Sequence, residues 1–192
     1  MAIKLVIGLG NPGTQYEKTR HNVGFWLIEL LAREYNVVLR EELKFKGLYS
    51  KARILNTECM LLMPVTFMNL SGEAVYKISN FYKIQAEEIL VVHDELDFIP
   101  GIVRLKQGGG ANGHNGVQHI INQLGNNNFW RLRIGIGKPT FKADISTYVL
   151  AVPDKLVTQQ IHNTIKQAVA IIPALILGNF GKAMQILHEK TQ

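Results

Sequence analysis

Two short runs of almost unbroken apolar residues, Ile3 to Leu9 and Ile89 to His93, constrain the fold more than any other feature of this chain. Runs of that length, bounded by turn residues or charge, read as buried strands. The first runs into Gly8-Leu9-Gly10-Asn11-Pro12-Gly13, and the second is followed at once by acidic residues. Elsewhere the period changes. Val23, Trp26, Leu27, Leu30 and Leu31 recur at helical spacing and predict a helix from near Asn22 to Tyr35. Tyr49 to Leu55 and Cys59 to Met63 read as strands joined by a turn at Asn56-Thr57. A helix is expected over Asn69 to Tyr82, with Thr66 or Ser71 as its cap. Ile102 to Gln107 alternates as a half-exposed strand, and so does Trp130 to Ile136, which puts Arg131 and Arg133 on one face. Val117 to Leu124 reads as a short helix. From Pro153 onward Leu156, Val157, Ile161, Ile165, Ala168 and Ile172 form a helical stripe. Strands mixed with helices, without repeat or linker, predict the α/β class: a single three-layer α/β/α domain over residues 1–192, with a twisted mixed central sheet.

Composition narrows the function classes. Hydrophobic residues make up 47% of the 192, enough for a core and too many for general disorder. Lys and Arg number 21 against 15 Asp and Glu, a net charge of +6 that favours a polyanionic partner such as nucleic acid without requiring one. Cys59 is the only cysteine, so an intramolecular disulfide and cysteine-based zinc sites are excluded. The N-terminus turns into a glycine-rich loop too early for a signal peptide, and the most apolar stretch, Ala168 to Leu177, is short for a membrane span and contains Pro173. A cytoplasmic protein with no membrane partner is the expectation.

The loops carry the chemistry. Gly8 to Gly13 fits the dinucleotide fingerprint Gly-x-Gly-x-x-Gly, but there a helix opens directly on the glycines, and here the helical pattern waits until Val23. A sharp turn that leaves Asn11 and the His21-Asn22 pair beyond the strand end is the better reading. His21 is of the residue type suited to taking up a proton near neutrality, and Asp94, at the carboxyl end of a buried strand, is its candidate orienting carboxylate. Adjacent strand residues face opposite ways, so His93 and Asp94 should not serve one site. His93, Asp94, Asp97 and His114 could instead be metal ligands, although no familiar ligand spacing supports this. Gly108 to Gly116 has five glycines in nine positions, suited to an anion or a closely docked backbone, and lacks the Gly-Lys-Ser/Thr ending of a nucleotide-binding loop. Arg104, Lys106, Arg131, Arg133 and Lys138 flank it and could contact phosphate. Asn11, Asn22, Asn69, Asn112 and Asn115 offer uncharged donors and acceptors suited to a peptide main chain or an ester carbonyl. No Ser or Cys sits in an activation motif such as Gly-x-Ser-x-Gly, which leaves water activated by His21 as the simplest nucleophile.

Taken together, these segments resemble the bacterial peptidyl-tRNA hydrolase family. The matching pieces are Gly-Leu-Gly-Asn-Pro-Gly with Tyr16 and Thr19 to Gly24, Pro64 to Gly72, His93 to Asp97, the glycine run through Gly116, and Arg131 to Gly137. They occur in family order over residues 8–137. The resemblance implies hydrolysis of the ester bond of peptidyl-tRNA, which recycles tRNA from aborted translation. It implies His21 as general base, Asp94 as its orienting partner, and Asn11 as an aid in positioning His21, substrate or water. Asn69 and Asn115 would hold the peptide main chain and the developing oxyanion, Tyr16 and Met68 would line the cleft, and Lys106 with Arg133 would clamp tRNA phosphate, with Arg131 as a neighbour. It further implies tRNA as partner, a monomer, and no cofactor or metal. Two departures stand out: Ala111-Asn112 occupies the place of a His-Gly pair in a relative such as the enterobacterial enzyme, and Asn126-Asn127-Asn128-Phe129 is shortened relative to a common Asn-Asn-Pro-Asn-Phe form. A non-catalytic RNA-binding module of the same fold is the alternative.

Overall fold

The computed structural model describes residues 1–141 and 144–189. Seven strands form one sheet: β1 (Leu5–Gly8), β2 (Arg40–Glu42), β3 (Gly47–Ile54), β4 (Thr57–Pro64), β5 (Ile89–Glu95), β6 (Val103–Gln107) and β7 (Trp130–Gly135). Their order across the sheet is β2-β3-β4-β1-β5-β7-β6. The four central strands are parallel, and the outer pairings β2/β3, β3/β4 and β6/β7 are antiparallel. Helices α1 (Val23–Glu34), α5 (Lys155–Ile176) and α6 (Phe180–Glu189) cover one face. Helices α2 (Ser71–Tyr82) and α3 (Asn115–Leu124) cover the other, and the short α4 (Ile145–Val149) lies on the α1 side. The expected mixed sheet between two helical layers is what forms.

The apolar runs are covered on both sides because alternate residues feed different cores. Leu5 and Ile7 pack with Leu62, Val91 and the α2/α3 layer, while Val6 packs with Leu61, Leu90, Val92 and the α1/α5 layer. All four parallel strands end at one edge of the sheet, the usual place for a site in such folds. At that edge helix α1 meets the sheet backbone to backbone. A Cβ on Gly24 would lie 2.3 Å from Leu9 N and 2.5 Å from Val92 O, and one on Gly8 would lie 2.2 Å from Gly24 O. This close approach seats the turn that carries His21 just beyond β1 and β5.

Some expectations are corrected. Neither Thr66 nor Ser71 caps α2: a 3-10 turn, Met68–Leu70, leads into the helix, and the Ser71 N–H bonds to the Met68 carbonyl instead. The turn between β3 and β4 is Leu55-Asn56, both with positive φ (48° and 63°), one residue earlier than expected. Strand β2 and helix α4 lack a clear periodic pattern and were not anticipated. The helical region after Pro153 breaks at Gly178, with φ +78°, into two helices, and its last residues, 190–192, lie outside the described residues.

The glycine loop takes an unexpected route. Strand β6 runs antiparallel to β7, so Gln107 pairs with Trp130 at the end of the sheet remote from the site. Residues 108–114 must travel back along the sheet to reach the start of α3. Arg131 holds them down by donating to the carbonyls of Gly110, at 2.7 Å, and Gly109.

Replacing Gly24 by Ala forces backbone apart from backbone, since no flexible side chain can yield. Urea denaturation should show the Gly24→Ala variant destabilised by about 1–3 kcal/mol. Wild-type stability in that variant would mean that the contact is not tight.

Candidate active site

At the strand-end edge, Asn11, His21, Phe67, Met68, Asn69, Asp94, Glu95, Leu96, residues 111–115 and part of the α4 region line a cavity of about 520 Å³. Asp94, 3% exposed, is its polar floor. The His21 Nδ1 lies 2.9 Å from Asp94 Oδ1, and His114 Nε2 lies 2.9 Å from the same oxygen. The two imidazoles stand 5.0 Å apart, centroid to centroid.

Tautomers follow from the remaining partners. The Val117 N–H donates to His114 Nδ1 at 3.3 Å, so the proton of His114 sits on Nε2 and is given to Asp94. The Asp94 carboxylate accepts from His21 Nδ1–H as well, which leaves the lone pair of His21 on Nε2. Burial alone would lower the His21 pKa, but the charge and hydrogen bond of Asp94 outweigh it and raise the imidazole above its ordinary value of 6.5. Burial alone would raise the Asp94 carboxyl, and the charge and hydrogen bonds of His21 and His114 outweigh that to hold it well below the carboxylate range.

His93 is on the other face of β5, as alternation requires. Its Nδ1 donates to the Asp94 backbone carbonyl at 2.7 Å, and burial, with His114 next in effect, pushes its pKa down to about 3. The metal set considered from sequence therefore does not assemble: the His93 ring packs edge-on against His114, centroids 4.8 Å apart, with its Nδ1 on a backbone carbonyl, and Asp97 bonds to Asn112 and Lys138. A different trio, His21, Asp94 and His114, does come together, with ligand atoms within 4.8 Å. To offer Nε2 to a metal, His114 would have to move its proton to Nδ1, against the Val117 N–H. That cost fits a hydrogen-bonded relay better than a metal centre.

Asn11 spends its side-chain oxygen on the Met68 N–H, at 2.8 Å, and is cross-bonded to Asn22 by two 2.9 Å hydrogen bonds. It therefore fixes the Met68-Asn69 turn. Met68, Asn69 and Asn115 line the cavity. Tyr16 is set back from it and packs edge-on against Phe67, which does line it, at 6.3 Å.

Lys106 and Arg133 do not reach this cavity. They line a neighbouring depression of about 330 Å³ with His93, Asp97, Gly110 and Arg131, and Glu95, Ala111 and Asn112 form the wall shared by the two. Lys106 is exposed and has no carboxylate partner among the described residues. Arg133 binds Glu95 Oε2 through Nε and Nη2, both at 2.8 Å, and lies over Phe98 at 4.6 Å. Asn112, at φ +51°, donates to Glu95 at 3.0 Å and to Asp97 at 2.7 Å. Sequence reasoning did not find His114 as the partner of Asp94, nor Glu95 as the counter-charge of Arg133. The usable signal for the first was a histidine immediately ahead of a helical pattern, a capping position.

The Asp94 contribution to His21 can be isolated by proton NMR. His21 should titrate above 6.5 in the wild type. In Asp94→Asn it should fall below 6.5, because burial is then unopposed. By linkage the charge on His21 stabilises the fold below 6.5 and ceases to do so as pH rises through the raised value, so the variant's stability deficit should narrow across that range. An unmoved His21 titration in the variant would sever the pair.

Comparison with known proteins points the same way. The family model described as peptidyl-tRNA hydrolase matches residues 5–192. The chain is 50% identical to the peptidyl-tRNA hydrolase of Delftia acidovorans, covering 97% of this chain and 90% of that one. It is also 50% identical to that of Actinobacillus pleuropneumoniae, covering 97% and 96%. The crystal structure of peptidyl-tRNA hydrolase from Acinetobacter baumannii superposes with a TM-score of 0.94 at 43% identity, covering 96% and 94%. A chain with this sheet and this strand-end site, matched along nearly its whole length, belongs to the peptidyl-tRNA hydrolase family and hydrolyses peptidyl-tRNA.

Proposed function

We propose that His21 is the general base of this hydrolysis, and that the carboxylate of Asp94 orients it. The carrying observation is the pair of hydrogen bonds that converge on Asp94 Oδ1 from His21 and His114. With Nδ1–H committed to Asp94, the Nε2 of His21 takes a proton from water as the water oxygen attacks the ester carbonyl carbon. Asp94 stabilises the imidazolium that results. Collapse of the tetrahedral intermediate breaks the bond to the terminal ribose oxygen of the tRNA, and the imidazolium returns its proton to that oxygen. The amides of Asn69 and Asn115 are suited to donate to the developing oxyanion and to hold the peptide main chain. Asn11 keeps the Asn69 turn in register, and Met68 and Tyr16, the latter through Phe67, support the wall beside it. The relay uses only side chains and water, so neither metal nor cofactor has a step to perform.

We further propose that Lys106 and Arg133 take tRNA phosphate in the adjoining depression. Arg131 is the weaker candidate because its guanidinium is already spent on the glycine loop and only 3% of the residue is exposed. No described helix is long and apolar enough to cross a membrane. One domain acting as a monomer in the cytoplasm is the setting we infer from the family.

Replacing His21 by Ala should lower kcat by about 10²–10⁴-fold while leaving tRNA affinity within a factor of about two. Retained turnover in that variant, with or without chelator, would remove the mechanism. The clamp is better probed at Lys106 than at Arg133, since loss of Arg133 strands the buried Glu95 carboxylate at a cost of about 3–5 kcal/mol. Lys106→Ala should raise KM and flatten the plot of log(kcat/KM) against log salt by about 0.7–0.9 in slope. A slope equal to wild type would take Lys106 out of phosphate binding.

A further inference from the structure

Arg20 directly precedes the base, yet it takes no part in the chemistry above. Its backbone N–H donates to the Ala151 carbonyl at 3.3 Å. Its Nη1 donates to the carbonyls of Tyr148, at 3.3 Å, and Ala151, at 3.2 Å. The same guanidinium lies over the Tyr148 ring, 4.2 Å from the centroid. Tyr148 in turn donates its hydroxyl to the Ile136 carbonyl, just past β7, at 2.7 Å. One side chain thus joins the His21 turn to the segment that contains α4.

That segment needs fastening. Helix α4 is five residues long, and its N-cap, Asp144, makes no side-chain cap hydrogen bond. A helix so short does not hold itself. Four of its residues or their neighbours, Ile145, Ser146, Val149 and Leu150, line the catalytic cavity. They supply a largely apolar wall beside His21. The hydrogen bond that orients His21 is donated to Asp94 on β5, a separate element.

We propose that Arg20 is a positioning residue: it fixes the α4 wall against the His21 turn and thereby sets affinity for the ester end of the substrate, while the chemical step stays with His21 and Asp94. The inference rests on reading the cavity as the substrate cleft. A guanidinium suits the task because it stacks on an aromatic face and hydrogen-bonds in its own plane, which a lysine ammonium cannot do together.

The test compares Arg20→Ala, Arg20→Lys, Tyr148→Ala and the double Ala variant on peptidyl-tRNA and on an N-acetylated aminoacyl ester of adenosine, which lacks the tRNA body. Arg20→Ala should raise KM about tenfold on both substrates, keep kcat within about twofold, and leave the acid limb of the pH profile unmoved. Arg20→Lys should recover only part of the loss. Tyr148→Ala should give a similar rise, and the double variant should add no more than about twofold, because both changes cut one link. An unchanged KM would overturn the proposal. So would a fall in kcat with a shifted acid limb, additive losses, or a flattened salt slope confined to tRNA, which would make Arg20 a phosphate contact. Failure of the His21 reading would show separately, as turnover in His21→Ala, and leaves the KM comparison readable.

Discussion

A single carboxylate oxygen organises this site. Asp94 Oδ1 accepts from two imidazoles that arrive on different elements, one in the turn ahead of α1 and one at the cap of α3. A buried carboxylate is costly unless its lone pairs are used, and here two N–H donors use them. The arrangement also settles which nitrogen carries each proton, since His114 has the Val117 N–H on its other side. The two approaches are secured independently. The Gly24 backbone pressed onto Leu9 and Val92 fixes the first, and the strapped glycine loop fixes the second. Drift of either histidine would cost the buried Asp94 carboxylate one of its two N–H donors.

The same economy shapes the basic depression next door. Of its three cations, Arg131 is consumed by loop carbonyls, Arg133 is partly neutralised by Glu95, and Lys106 stands exposed. The local charge offered to a polyanion is thus smaller than a count of basic residues suggests. Glu95, Ala111 and Asn112 separate this depression from the cavity above Asp94, so the two are neighbours across a thin partition. A substrate long enough to touch both would meet a cationic surface on one side and uncharged amides on the other. That division suits a molecule with a phosphate backbone and an ester at its end.

Much of this was legible in the residues. Ile3 to Leu9 and Ile89 to His93 announced central strands because no half-exposed strand is so apolar, and the alternation of Trp130 to Ile136 correctly put Arg131 and Arg133 on one side. The separation of His93 from Asp94 followed from strand geometry alone. What stayed hidden depended on contacts between distant segments. His114 lies 20 positions from Asp94, and no local pattern connects them. The Glu95–Arg133 pair arises only from the parallel pairing of β5 with β7. The α2 start differs from the expectation because a 3-10 turn can satisfy a helix start without any hydroxyl, and the Thr66 and Ser71 hydroxyls are buried and unused. Helix α4 is too short to show a periodic stripe: its five residues are placed by the packing of Ile145, Tyr148 and Val149 on the core and by Arg20, all contacts with distant segments.

The backward course of residues 108–114 carries an evolutionary corollary. This stretch works as a ruler, spanning from the far end of β6 to the cap of α3 with its carbonyls pinned midway by Arg131. Adding or removing one residue there would displace the His114 ring by about a residue step, some 3 Å, relative to its acceptor. Length changes should be tolerated at the solvent-facing β3/β4 hairpin tip, where nothing downstream depends on the spacing. Insertions and deletions among relatives should therefore avoid the interval from Gln107 to Asn115, even though its abundance of glycine makes it look the most permissive part of the chain.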